Sequence, residues 1–544
     1  MSRPSRTAVR ILSVAIAALA ALALAACGDD EGAGEAGPGT ATLVPGGVPI
    51  YLDAVVRPEG EQLDGLLSAI GTISGQEDPG GLLPAAIDEG LSEQGLSYED
   101  DISPWLGSDA GGFLLDFDSE PSGALILSVT DTDAAQEAVD RLAEADDVMQ
   151  TATNYEGVDY TLDDDDGAFG FVGDYLVAGT DAGFKAVVDA SNGESLADDT
   201  EAADALASAP EESLFIAYID TPRLFDELVG SGVISRQDLD TAAAGQAEAL
   251  EEGPIVLSGA ATADSFSIEA SGPVGVGISS DDLIGALPAE SWLALGVPSI
   301  GEAISGGYDA LVSGFEGGLE DAAQSFPGGT ALPGPTQLPD IEAELQRQLG
   351  LDLNKDLDWA GDMALFVQGS SAFNIGAGIT IESSDDDAAA DTLNQLGRAL
   401  GRQPGLRVSR TAEGFQVIGA DTPVGAEVAL RDGTVVVAFL GATVDDVLSP
   451  AQMLSGSGSY EAASAALGEE IEPQFFLDFP PIISLVENLG QGADPQFQQA
   501  KPVLESLAYL AGGSADIDDR TVSRLILGLR EGGGSAAPAA AITP

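Results

Sequence analysis

Trp105-Leu106-Gly107, then Leu125 and Leu127, Asp131-Thr132-Asp133-Ala134-Ala135, Val139 and Leu142, form a pattern that returns later in the chain. It reads there as Trp359-Ala360-Gly361, Ile379 and Ile381, Asp385-Asp386-Asp387-Ala388-Ala389, Leu393 and Leu396, at one constant separation and without a gap. Further out the separation drifts by only a few residues. Gly157-Val158-Asp159-Tyr160 answers Gly414-Phe415-Gln416-Val417, and Gly173-Asp174-Tyr175-Leu176-Val177 answers Asp432-Gly433-Thr434-Val435-Val436. Ser213-Leu214-Phe215-Ile216-Ala217-Tyr218-Ile219-Asp220 answers a segment containing Gln474-Phe475-Phe476-Leu477-Asp478. Long-period self-similarity of this kind predicts two tandem copies, residues 43–275 and 276–530, rather than a short-period solenoid.

Within the first copy the hydrophobic period alternates between strand and helix. The β-branched run over 50–56 predicts a strand, and 61–73 and 82–91 predict helices. Phe113–Phe117 and Ala124–Val129 flank the turn-forming stretch 118–123 and predict a hairpin. A helix capped by Asp131 or Asp133 follows, with Ala135, Val139 and Leu142 on one face. Strands are expected over 155–162, 169–172, 175–179 and 214–219, helices over 181–190 and 200–208, and a closing pair over 255–260 and 266–270. Hairpins interrupted by helices predict an α+β class, each copy a mostly antiparallel sheet with helices packed on one face. Residues 326–339 (FPGGTALPGPTQLP) read as a Pro/Gly-rich insertion, and 531–544 as a disordered tail.

The N-terminus reads as an address. Arg3, Arg6 and Arg10 precede an apolar run from Ile11 to Ala26, shorter than the roughly 20 residues of a membrane span. The run ends Leu24-Ala25-Ala26-Cys27-Gly28, which resembles the lipobox of bacterial lipoproteins. That resemblance implies a signal peptide over 1–26, cleavage between Ala26 and Cys27, and a diacylglyceryl group on Cys27. Cys27 is the chain's one cysteine, so it forms no internal disulfide, and lipidation accounts for its place and its solitude. Residues 27–42, acidic and Gly-rich, read as a flexible tether reaching roughly 20 Å.

Charge excludes several functions. With 91 acidic against 19 basic residues the formal charge is −72, which repels phosphate backbones and rules out nucleic-acid binding through a basic surface. There is no histidine, which removes Ser-His-Asp and Cys-His catalysis and His-ligated zinc. No G-x-S-x-G elbow, P-loop or dinucleotide glycine fingerprint is present, and no cofactor is expected.

Asp163-Asp164-Asp165-Asp166-Gly167 is the candidate metal site, but the EF-hand pattern fails on Leu162 and Gly173, so a solvated turn is the preferred reading. Asp352-Leu353-Asn354-Lys355-Asp356 fails on Leu357. Asp385–Asp387 matches Asp131–Asp133, which marks both as helix caps, and Asp220 and Asp478, each near a proline, read the same way. Trp105 and Trp359 stand before what reads as a glycine turn and are expected in the core.

The chain resembles a family of actinobacterial lipoproteins carried as a domain of unknown function, the one numbered 3352. The likeness rests on Leu43-Val44-Pro45 with 49–60, on 98–107, and on Gly173-Asp174-Tyr175-Leu176-Val177. It implies no catalytic residues. The expected function is a non-enzymatic, lipid-anchored extracytoplasmic binding or scaffold module on the outer face of the cytoplasmic membrane. Its expected partners are the membrane and a hydrophobic small molecule or envelope component. A carboxylate-based extracellular hydrolase and a calcium-stabilised wall or adhesion protein remain alternatives.

Overall fold

The computed structural model describes residues 39–74, 79–81, 88, 97–117, 121–146, 150–164, 166–232, 234–236, 252–274, 282–301, 353–371, 374–419 and 425–530. The signal peptide, Cys27, most of the expected tether, the 82–91 helix apart from Asp88, the insertion over 326–339 and the 531–544 tail lie outside the described residues. What is described falls into two compact units, one within Met1–Gly277 and Asp516–Val522, the other within Ile278–Ala515 and Ser523–Gly533. The class is α+β with antiparallel pairing between strands, beside an isolated parallel bridge at Leu440–Ala442.

The strands of the first unit are β1 Ile50–Val55, β2 Leu106–Leu114, β3 Gly123–Val129, β4 Gln150–Tyr155, β5 Val158–Asp163, β6 Gly167–Val172, β7 Tyr175–Thr180, β8 Phe215–Ile219, β9 Ile255–Ala261 and β10 Ser265–Pro273. They pair in the order β10–β9–β8–β1–β2–β3–β7–β6–β5–β4. Its helices are α1 Gly60–Ser74, α2 Thr132–Asp146, α3 Asp181–Asn192, α4 Thr200–Leu206 and α5 Thr221–Gly230.

The second unit contains β11 Ser291–Val297, β12 Ala360–Gln368, β13 Gly376–Ser383, β14 Leu406–Arg410, β15 Gly414–Gly419, β16 Gly425–Arg431, β17 Thr434–Phe439, β18 Phe475–Asp478 and all of β19 Leu507–Ile517 and β20 Arg520–Leu529 except their shared tip, Asp516–Val522, which is counted with the first unit. Their order is β20–β19–β18–β11–β12–β13–β17–β16–β15–β14, position for position that of the first unit. Its main helices are α6 Asp386–Leu400, α7 Val444–Leu448, α8 Gly458–Leu467, α9 Phe479–Asn488 and α10 Pro495–Ser506.

Helices cover both faces of the sheet, not the single face expected from sequence. In the first unit Tyr51, Ala124, Ile126 and Val177 pack with Phe184 and Val187 of α3. Ala54, Leu125, Leu127 and Leu176 turn the other way and pack with Ala135 and Ala138 of α2. The cause is local: β3 is buried at four consecutive positions, Gly123 to Ile126, so both parities of the strand are apolar and each needs a cover. The second unit repeats the arrangement. Val435 and Val437 face the cluster that holds Ala389 and Leu393 of α6, while Gly378 faces Phe366 and Val447 of α7.

Other details depart from the sequence reading. The expected strand over 155–162 is two strands, reversed at Glu156-Gly157, where φ is 49° and 94°. Nor is Gly107 in a turn: it lies inside β2, which runs unbroken through Gly111 and Gly112. A Cβ on Gly111 would lie 2.2 Å from Thr40 Oγ1, so the strand carries glycine there because another segment packs directly on its backbone. That segment is the 3-10 turn Thr40–Leu43, whose Thr40 and Ala41 are fully buried. The expectation of a free tether through Thr42 therefore fails at its C-terminal end, where Thr40 is bonded into the core.

Candidate functional site

Among the described residues, two places bring chemically distinctive side chains together, one in each unit. In the first, Asp53 on β1 is buried. Its Oδ1 accepts a 2.6 Å hydrogen bond from Thr40 Oγ1, and Thr40 Oγ1 lies 2.6 Å from Tyr51 Oη. Burial pushes the Asp53 carboxyl up to about 6, with Asp109 adding repulsion, and pushes the Tyr51 phenol well above its usual range. A carboxyl sealed behind a buried threonine and tyrosine presents no face to a substrate. Its chemistry is that of an internal proton-binding group.

The second place is an open groove of about 590 Å³ between α6 and the β14–β15 hairpin. Its floor is apolar: Leu393 and Phe415 are buried, and Val408 and Leu430 complete it. Gly397 lets the helix approach, since a Cβ there would sit 3.1 Å from the Phe415 ring. The rim is cationic, with the exposed Arg398, Arg402 and Arg410. Arg398 Nε donates to the Asn394 carbonyl at 3.0 Å, and none of the three has an ion-pair partner among the described residues. The rim's one acid, Glu413, is held by Arg431 at 2.7 Å, and Arg431 also pairs with Asp445 at 2.6 Å.

The sequence reading missed this groove because it searched the acids. The signal was available: residues 392–412 contain four arginines and no acid, in a chain with 91 acids and 19 bases.

The sites named from sequence fall as follows. Asp163 ends β5 and its Oδ1 accepts from Gly167 N at 2.6 Å, closing a turn in which Asp166 has a φ of 67°. Asp164 lies in the same turn, and Asp165 lies outside the described residues. No group of three or more potential metal ligands occurs among the described residues. Asp131 Oδ1 accepts from Ala134 N at 3.1 Å, and Asp385 Oδ1 accepts from Asp387 N and Ala388 N, so both cap helices. Asp220 caps α5 through Arg223 N at 3.0 Å.

Asp478 departs from that pattern. It makes no cap bond and accepts from Ser459 Oγ instead, because α9 opens Phe479-Pro480-Pro481 and the two prolines have no N–H to give. Trp105 and Trp359 are buried, and their indole N–H groups donate to the carbonyls of Asp101 at 2.6 Å and Asp356 at 2.7 Å. No described helix is long and apolar enough to cross a membrane.

Comparison with known proteins gives a family but no activity. No curated protein matches. Among solved structures, "Structure of crystal form III of TP0453" is similar at 11% identity and a TM-score of 0.23, covering 44% of this chain and 81% of that one. "Structure of crystal form I of TP0453" gives the same identity and TM-score over 46% and 82%. Likeness at that level carries no argument about fold or ligand. A family described as "Protein of unknown function (DUF3352)" matches residues 7–529, nearly the whole chain, and this protein belongs to it.

Proposed function

We propose that the protein is a lipid-anchored extracytoplasmic binding module, not an enzyme, built from two copies of one α+β fold. The observation that carries the binding role is the groove beside α6. Its volume lies inside the roughly 300–1,000 Å³ of small-molecule sites, and its lining joins three arginines to the half-buried Val408 and Leu430. Anchoring rests on the sequence around Cys27, with cleavage after Ala26 and acylation of the thiol placing the body on the outer face of the cytoplasmic membrane. The duplication is supported by the shared strand order and by the matching Trp105 and Trp359 indole bonds.

The non-catalytic reading is supported by the fate of the acids. Asp53, whose carboxyl is displaced upward furthest among the described residues, is enclosed, and Asp131, Asp220 and Asp385 are engaged in capping. A carboxylate hydrolase needs two carboxyls facing one another across an open cleft.

The test is mass spectrometry of the full chain purified from membranes. An apolar molecule released by organic extraction in near-stoichiometric amount is expected. A protein that releases none, and takes up none from an added lipid extract, would remove the binding role.

A further inference from the structure

We infer that the groove beside α6 takes an acidic membrane lipid, its phosphate-bearing head on Arg402 and Arg410 and its acyl chain over Val408 and Leu430. The inference rests on the binding role proposed above and specifies the ligand. Three observations carry it.

The first is charge. In a chain of −72, free arginines on one rim make a local field opposite in sign to the body's, and an anion is the ligand that field selects. The second is the arrangement of acids around the groove. Residues 392–412 have none, and Glu413 shares Arg431 with Asp445, a trio of net −1 that leaves the three rim arginines in excess. Arg398 and Arg402 also suit the negative C-terminal end of α6, but Arg410 is on a strand and has no such duty. The third is the floor. A free phosphate or a hydrophilic anion would leave the half-buried side chains of Val408 and Leu430 in water, whereas an amphiphile covers them and keeps its charge at the guanidinium forks.

Among the described residues the first unit shows no counterpart. Its corresponding strand, Gln150–Tyr155, carries no arginine, and Arg141 of α2 is already paired with Asp101. Two similar folds thus differ at one place, in the residue type that would read an anionic head group.

The test reconstitutes the full chain into phosphatidylcholine vesicles. The vesicles carry a small fraction of either phosphatidic acid or phosphatidylcholine with a photoreactive diazirine in one acyl chain, and labelled peptides are mapped after irradiation. The expected result is labelling within residues 390–430 by the acidic probe, about tenfold over the phosphocholine probe, as one lost charge-assisted contact implies. Arg402→Ala with Arg410→Ala should remove that preference, and the Arg402→Lys, Arg410→Lys pair should keep most of it. Both positions are exposed, and unchanged thermal melts verify the fold.

Equal labelling of the groove by both probes would overturn the acidic-lipid assignment while leaving a general apolar binding role intact. Labelling by the acidic probe only outside 390–430 would overturn the site. Displacement of the lipid by inorganic phosphate at equal concentration would also overturn it, because the floor would then contribute nothing. No labelling anywhere by either probe would fail both the inference and the binding role.

Discussion

Asp53 shows how one side chain ties a central strand to the N-terminal turn at a cost that depends on pH. Its native carboxyl titrates at about 6 instead of 3.8, so folding favours the protonated form. The stability this group contributes is fully present below about pH 4 and is lost as pH rises through 6. The size is on the order of 2–3 kcal/mol across that window. Asp53→Asn keeps an acceptor for Thr40 and removes the titration. Melts of the full chain at pH 8 should therefore show the variant more stable than the parent, and at pH 4 no more stable. Parallel pH profiles for the two proteins would contradict this. The residue was legible in the sequence only as one polar position in an apolar strand. Its burial depends on Thr40, which composition assigns to a tether.

At the scale of elements, helix starts separate what spacing reveals from what it hides. Asp220-Thr221-Pro222-Arg223 and Asp478-Phe479-Pro480-Pro481 look alike, yet only the first leaves an N–H at the third helical position. Asp220→Ala should destabilise the protein by about 1 kcal/mol, the worth of a cap. Asp478→Asn should cost less or stabilise, because burial holds that carboxyl above its usual range. Urea titrations of the two variants would measure the difference, and equal losses would contradict the account.

Hairpins and capped helices were readable because turn residues and apolar periods coincide. The β4–β5 reversal was not, since β4 is mostly exposed and has no apolar alternation to mark it. Glycines hid β2, because a strand pressed by Thr40 from another segment looks like a turn when read alone. The arginine-rimmed groove was legible as an acid-free interval, a signal of charge absence that a search for acidic ligands passes over.

For the whole molecule, the proposed function asks a strongly acidic body to stay near a membrane, and the arginine-rimmed groove of the second unit is a cationic patch among the described residues. An acidic surface is pushed away from anionic head groups, so a lipid anchor and a local positive rim would be the two features that hold it close. The central claim is the anchor, and its most direct measurement is metabolic labelling with radioactive palmitate of the full chain and of Cys27→Ala in a bacterial host, followed by membrane fractionation. The parent should carry label and sediment with membranes, while the variant should carry none and leave the membrane pellet or remain as an uncleaved precursor. A variant that still incorporates label, or a parent that never does, would contradict the account.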